Sequence, residues 1–260
     1  MSDNKTTQRR HQILEILNQN GEVDVIQLAA LFGVSRVTIR NDLNEMGKEN
    51  LLQRIHSGAL SIKSTNMLHY DAMLNDRMNT CKKEKIRIAK ACMGLINDGD
   101  TVMIDSGTTP VYVARELSAF TNLTVITNAF MVARELLANH SIKVIFLGGD
   151  VDLAHQFTYG PTTITQLNKY RADKLILATD GISSEHGFTT YHHQEADVIF
   201  TMIQRANQVI VVSDHSKIGK EGFFHVVPIS ALDILVTDSK AKVSGEIEKI
   251  KNENVKIITC

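Results

Sequence analysis

The stretch VMIDSGTTPVYVAREL, Val102 to Leu117, decides how the larger part of this chain is read. Its apolar start suits a strand, its end an amphipathic helix, and small hydroxylated residues lie between. Asp105 closes the strand, and Ser106, Gly107 and Thr108 form a tight, donor-rich loop. Thr109 is expected to cap the helix, with Pro110 at its first position. Backbone N–H groups and the helix dipole then converge on one point, which favours an anion. No lysine or arginine stands inside the loop, so a phosphate there must be held by backbone and hydroxyls. The same residue types also make ordinary strand-to-helix turns, so the loop needs company elsewhere in the chain.

Working outward, apolar β-rich runs alternate with helical patterns. The expected strands are 101–105, 124–127, 143–147, 174–179, 208–213, 234–237 and 256–259, and helices are expected over 85–96, 111–117 and 129–137. That rhythm predicts a Rossmann-like α/β domain with a largely parallel sheet. Ligands of open α/β sheets gather outside the carboxyl ends of the strands. The residues expected there are Asn128 after VIT, Gly148 and Gly149 after VIFL, Asp180 and Gly181 after LILAT, and Lys217 after VIVVS. A pocket combining Asp105, Asp180, Glu195 and Lys217 would suit sugar hydroxyls plus phosphate.

The first sixty residues read differently. Ile13, Ile16 and Leu17 fall at helical spacing before Gly21. Asp24 can cap a second helix carrying Leu28, Leu31 and Phe32, and Ser35 a third carrying Ile39, Leu43 and Met46. A short hairpin around Ser57-Gly58 completes the pattern of a winged helix-turn-helix. With Ile39 inward, Val37, Arg40, Asn41 and Asn44 face outward, flanked by Arg36 and Thr38; these are types that read base edges in a major groove. Ser35, Thr38 and the helix start can hold a phosphate, and Arg54 and His56 reach the adjacent backbone. Seven basic and seven acidic residues up to Leu60 cancel, so charge alone leaves a plain solvated helix face as an alternative. The division expected is 1–60 for the DNA-binding unit, 61–80 for a linker and 81–260 for an effector domain.

The 260 residues carry a formal net charge of −1, which says nothing about the whole chain's partners. Three scattered cysteines without a CxxC pair argue against a disulfide framework and a zinc site. No apolar run nears the ~20 residues that span a bilayer, and the N-terminus lacks a secretory core, which points to the cytoplasm. No metal is expected from His192 and Glu195, since no third ligand follows at a recognisable spacing.

The words themselves add to this. LAALFGVSRVTIRNDLNEM with RIHSGAL resembles the N-terminal signature of the DeoR family of bacterial transcriptional regulators, Ser35, Thr38, Ile39, Arg40, Asp42 and Leu43 matching its recognition helix. Arg54, His56, Gly58 and Ala59 match its wing. Asn41 and Ser57 stand where many members carry arginine and glycine. EKIRIAKAC, INDGDTVMIDSGTT, VITN, FLGGDV, YGP, ADKLILATDGIS, GFTT and VVSDHSKIG follow the order of DeoR-type sensor domains. The resemblance implies a body like ribose-5-phosphate isomerase in fold, a phosphate loop at 105–109, and a phosphorylated sugar as effector, with no cofactor. It also implies a repressor of a carbohydrate operon, bound to double-stranded operator DNA. One winged helix reads too few base pairs to be selective, so a homo-oligomer, dimer or tetramer, is expected. The competing expectations are an isomerase-like enzyme with an appended head, and a DNA-binding protein whose body serves only assembly. The isomerase's second acid is absent after Asp180, where the chain reads Gly181-Ile182-Ser183, and His215 replaces a serine of the family's pocket motif.

Overall fold

The computed structural model describes residues 2–20, 22–49, 51–54, 58–61, 74–137 and 139–260. Two compact units divide the chain, Met1–Met73 and Leu74–Cys260.

In the first unit, α1 spans Ser2–Asn20, β1 Glu22–Asp24, α2 Val25–Phe32, α3 Arg36–Lys48, β2 Gln53–Arg54 and β3 Gly58–Leu60. The helices begin where side chains can take up free N–H groups. Asp24 accepts from Ile26 and Gln27 N–H at 2.7 and 3.2 Å, and Ser35 from Thr38 N–H at 3.1 Å. Gly33, left-handed at φ 62°, closes α2. Ile13, Leu17, Leu28, Ile39, Leu43, Met46 and Ala59 form one core. Leu31, expected on the buried face of α2, is instead exposed. The wing is a three-stranded antiparallel sheet in the order β1-β3-β2. Its first strand is only three residues long, too short for an alternation the sequence could reveal.

In the second unit, residues 74–79 are already helical. Met78 is buried there, and its carbonyl accepts from the buried Tyr112 hydroxyl at 3.1 Å. The end of the expected linker therefore belongs to the body. The strands that follow are β4 Thr101–Ile104, β5 Leu123–Thr127, β6 Ile142–Phe146, β7 Asp150–Asp152, β8 Phe157–Tyr159, β9 Lys174–Leu177, β10 Gly181–Ser183, β11 Gly187–Thr190, β12 Val209–Val212, β13 Phe224–Val227, β14 Ile234–Thr237 and β15 Lys256–Thr259.

Seven of them form a sheet in the order β15-β14-β12-β9-β4-β5-β6, parallel at every pairing. Apolar clusters on its two faces bury it: Ile88, Val102, Ile104, Val113 and Val125 belong to one, Met103, Ile126, Leu175, Leu177 and Val211 to the other. Central strands buried on both faces read as continuous apolar runs, which is why they were legible in the sequence. A small antiparallel sheet, β10-β11-β13, and the ribbon β7-β8 were not foreseen. Among the described residues no helix is long and apolar enough to cross a membrane.

Candidate functional site: a polar cavity at the reversal of strand order, and an exposed recognition helix

Strand order reverses at β4. The chain moves from β4 through β5 to β6 on one side, then returns to β9 on the other and continues outward to β15. The loops leaving β4 and β9 must diverge there, opening a crevice at the strands' carboxyl ends. A cavity of about 380 Å³ occupies that place. Ser106, Gly107, Thr108 and Thr109 line it from the end of β4, and Ala178, Thr179 and Asp180 from the end of β9.

Gly107 shapes the loop. Its φ is 112°, and an added Cβ would stand 2.8 Å from the Ala178 methyl. The helix starts two residues sooner than expected, spanning Thr108–Glu116 with Gly107 as its cap. Thr109 is therefore not the cap and Pro110 lies third. Both threonine hydroxyls remain outside the capping role, in a wall where the first N–H groups of the helix are short of partners.

Opposite stand the acids. Glu195 accepts from the Ser106 hydroxyl at 2.9 Å and the Thr190 hydroxyl at 2.5 Å. Asp180 accepts from the Thr190 hydroxyl and the Tyr191 N–H, both at 3.2 Å, and lies 3.9 Å from the Lys217 ammonium. Asp105 is 1% exposed and sits behind the lining rather than in it. Burial first, then the Glu195 and Asp180 charges, push its carboxyl well above the usual range; the Ser106 N–H works against them.

Sequence reasoning missed one wall. Leu74, Arg77, Thr80 and Lys85 line the cavity, from a segment expected to be linker and helix surface. Lys85 is 5% exposed and donates to the Arg77 carbonyl at 2.6 Å; burial lowers its pKa, opposed by the Asp214 charge. His155 and His192, with ring centroids 4.3 Å apart, also face the cavity. Lys85 is the fourth residue of the helix Lys82–Cys92.

Four expected residues lie elsewhere. The Asn128 amide donates to the Thr158 carbonyl at 2.8 Å. The Gly148 carbonyl accepts from Thr163 and Gln166, while a side chain on Gly149 would strike Thr163 and the Tyr159 carbonyl. Gly181 starts β10 with its Cα against the Lys220 carbonyl. These strand-end positions serve packing, because the ribbon β7-β8 and the small sheet cover them. His215 does not face the cavity either; its ring Nδ1 lies 3.0 Å from Asp238.

In the first unit, Ser35, Arg36, Val37, Arg40, Asn41 and Asn44 are exposed on α3 and its cap, and Thr38 is half-buried. Asp42 lies on the opposite side, 3% exposed, accepting from Arg9 at 2.6 Å and Arg10 at 3.1 Å. The balance of charges counted along the sequence thus conceals a separation in space. Ser35 is less free for a phosphate than expected, since its hydroxyl already meets the Thr38 N–H and hydroxyl. Arg54 donates to the Asn44 side-chain amide oxygen Oδ1 at 2.9 Å, and burial together with the nearby Arg40 charge lowers its pKa. His56 lies outside the described residues.

Comparison with known proteins gives this geometry its context. Residues 9–65 match the DeoR-like helix-turn-helix domain and residues 80–239 the DeoR C terminal sensor domain. The chain belongs to the DeoR family. Among relatives, this DeoR-family protein is 35% identical over 226 residues to the HTH-type transcriptional repressor GlcR of Bacillus subtilis, covering 87% of this chain and 86% of that one. It is 32% identical over 256 residues to the glycerol-3-phosphate regulon repressor of Escherichia coli K12, covering 98% and 100%. Ribose 5-phosphate isomerase A of Methanocaldococcus jannaschii matches with 17% identity, over 53% of this chain and 55% of that one, at a TM-score of 0.40, a match too partial to carry weight. The named relatives are repressors, which sets the isomerase reading aside.

Proposed function

We propose that the protein represses a carbohydrate operon and is released from double-stranded operator DNA by a phosphorylated sugar bound in the cavity at the reversal of strand order. The observation that carries this is the pairing of two chemistries in one DeoR-family chain. An exposed helix offers arginine, asparagine and valine to a groove, and a cavity offers a glycine-built helix start opposite hydrogen-bonded carboxylates. The helix start suits a phosphate. Asp180 and Glu195, whose oxygens are oriented by Thr190, Tyr191 and Ser106, suit sugar hydroxyls, with Lys217 beside them. The protein works as a homo-oligomer in the cytoplasm, since repeated half-sites need repeated heads.

Fluorescence anisotropy of the full chain on its own upstream DNA, repeated with a panel of phosphorylated sugars, tests this. Salt-sensitive binding released by one sugar phosphate is expected. Binding that no sugar phosphate alters, or turnover of one of them, would overturn the assignment.

A further inference from the structure

At the edge of the cavity's basic wall, three donors of different chemistry meet. The Cys81 thiol, the Asp214 carboxylate and the His215 ring present ligand atoms that all lie within 4.8 Å of one another. We infer that they form a binding site for one divalent transition-metal ion of the zinc class. A sulfur, a nitrogen and a carboxylate oxygen are the donor set that such borderline ions take, and calcium or magnesium would not choose the thiol.

Each donor is oriented from behind. Asp238, wholly buried, receives the His215 backbone N–H at 2.7 Å and lies 3.0 and 3.1 Å from its Nδ1. A carboxylate on one ring nitrogen fixes the ring and leaves the other nitrogen's lone pair for a metal, the usual outer support of a ligating histidine. Asp214, 3% exposed, has one oxygen fixed by the Ser216 N–H at 3.0 Å and the Ser216 hydroxyl at 2.6 Å. Cys81 sits at the cap of the helix Lys82–Cys92 in the left-handed region, φ 53°, although it is not glycine. That backbone costs energy and persists only where the surroundings enforce it. It sets the thiol within 4.8 Å of the Asp214 carboxylate.

The nearby Lys85 ammonium, which feels both Asp214 and Cys81, opposes a cation. Its nitrogen is held on the Arg77 carbonyl at 2.6 Å, and a thiolate and a carboxylate outweigh its single charge. The absence of a CxxC pair hid this site in the sequence, because its donors come from a helix start and a distant strand end. Asp214 also lines the cavity, and the metal would sit on these three donors whatever the cavity binds.

The test uses tag-free, chelator-stripped full-length protein titrated with Co²⁺ and then Zn²⁺. One equivalent per chain with a thiolate-to-cobalt charge-transfer band, displaced by Zn²⁺, is expected. Cys81→Ser should abolish the band, and His215→Gln should weaken binding at least ~10-fold. Both should keep the wild-type circular dichroism and operator affinity. Cys260→Ser should change nothing, which separates this thiol from the other half-buried one. No binding, or a band that survives Cys81→Ser or is indifferent to His215→Gln, would overturn the site.

Discussion

Two aspartates show how little a formal charge says before its surroundings are known. Asp42 is buried between two guanidiniums on the inner side of α3, with Arg9 15% and Arg10 29% exposed in their side chains. Removing one partner of a buried pair leaves the others uncompensated. Asp42→Ala should destabilise the first unit by about 3 kcal/mol, the low end for such pairs because Arg10 keeps access to water. Urea unfolding followed by circular dichroism reads this; a loss below about 1 kcal/mol would make the pair ornamental. Asp105 presents the opposite case, a carboxyl that burial keeps protonated beyond its ordinary range. The folded protein then holds a proton that the unfolded chain has released, so stability is full below the ordinary carboxylate pKa of about 3.9 and is lost as pH rises through the folded value. Asp105→Asn has no such titration. The melting temperature of the wild type should therefore fall relative to the variant as pH is raised from about 4, and a difference constant with pH would remove Asp105 as its source.

At the scale of elements, the loop from β4 into the helix Thr108–Glu116 depends on one residue without a side chain. Gly107→Ala must accept both φ 112° and a 2.8 Å approach to the Ala178 methyl. It should cost about 1–3 kcal/mol and blunt the effector response, readable as a lowered melting temperature and an anisotropy curve that needs more sugar phosphate. A fully responsive variant would show that the loop tolerates a different backbone. On α3, Arg40→Ala should weaken operator binding by about 1–3 kcal/mol and relax preference at one base, while a uniform loss with a shallower salt slope would make Arg40 a phosphate contact. The legible elements were those that state their role locally. The seven core strands were largely apolar runs, and Asp24, Gly33 and Ser35 marked the ends of their helices. What escaped depended on distant partners. β1 exists through its pairing with β3, Arg77 and Lys85 reach the cavity because Met78 and Tyr112 anchor their segment, and Asn128, Gly148, Gly149 and Gly181 were drawn into packing. A strand end locates a crevice, but which ends stay open depends on what later folds over them.

For the whole molecule, the proposed release from DNA is a free-energy linkage between two sites, whatever the arrangement of the two units. An effector lowers operator affinity only if it binds the free protein better than the DNA-bound one. The same factor must then appear in reverse, with saturating operator weakening the effector. Titrating the sugar phosphate by calorimetry with and without operator should give affinities whose ratio equals the loss of operator affinity at saturating sugar. Thr108→Ala with Thr109→Ala, which strips two hydroxyls from the cavity wall, should weaken the sugar in both titrations while leaving the DNA affinity of the unliganded protein unchanged. Unequal ratios in the wild type would mean that some further species, such as a change of oligomeric state, takes part in release. A variant that binds sugar normally yet fails to release would instead place these hydroxyls in the transmission of the signal, since recognition and response are separable only when the two bound states differ in more than the ligand's own contacts.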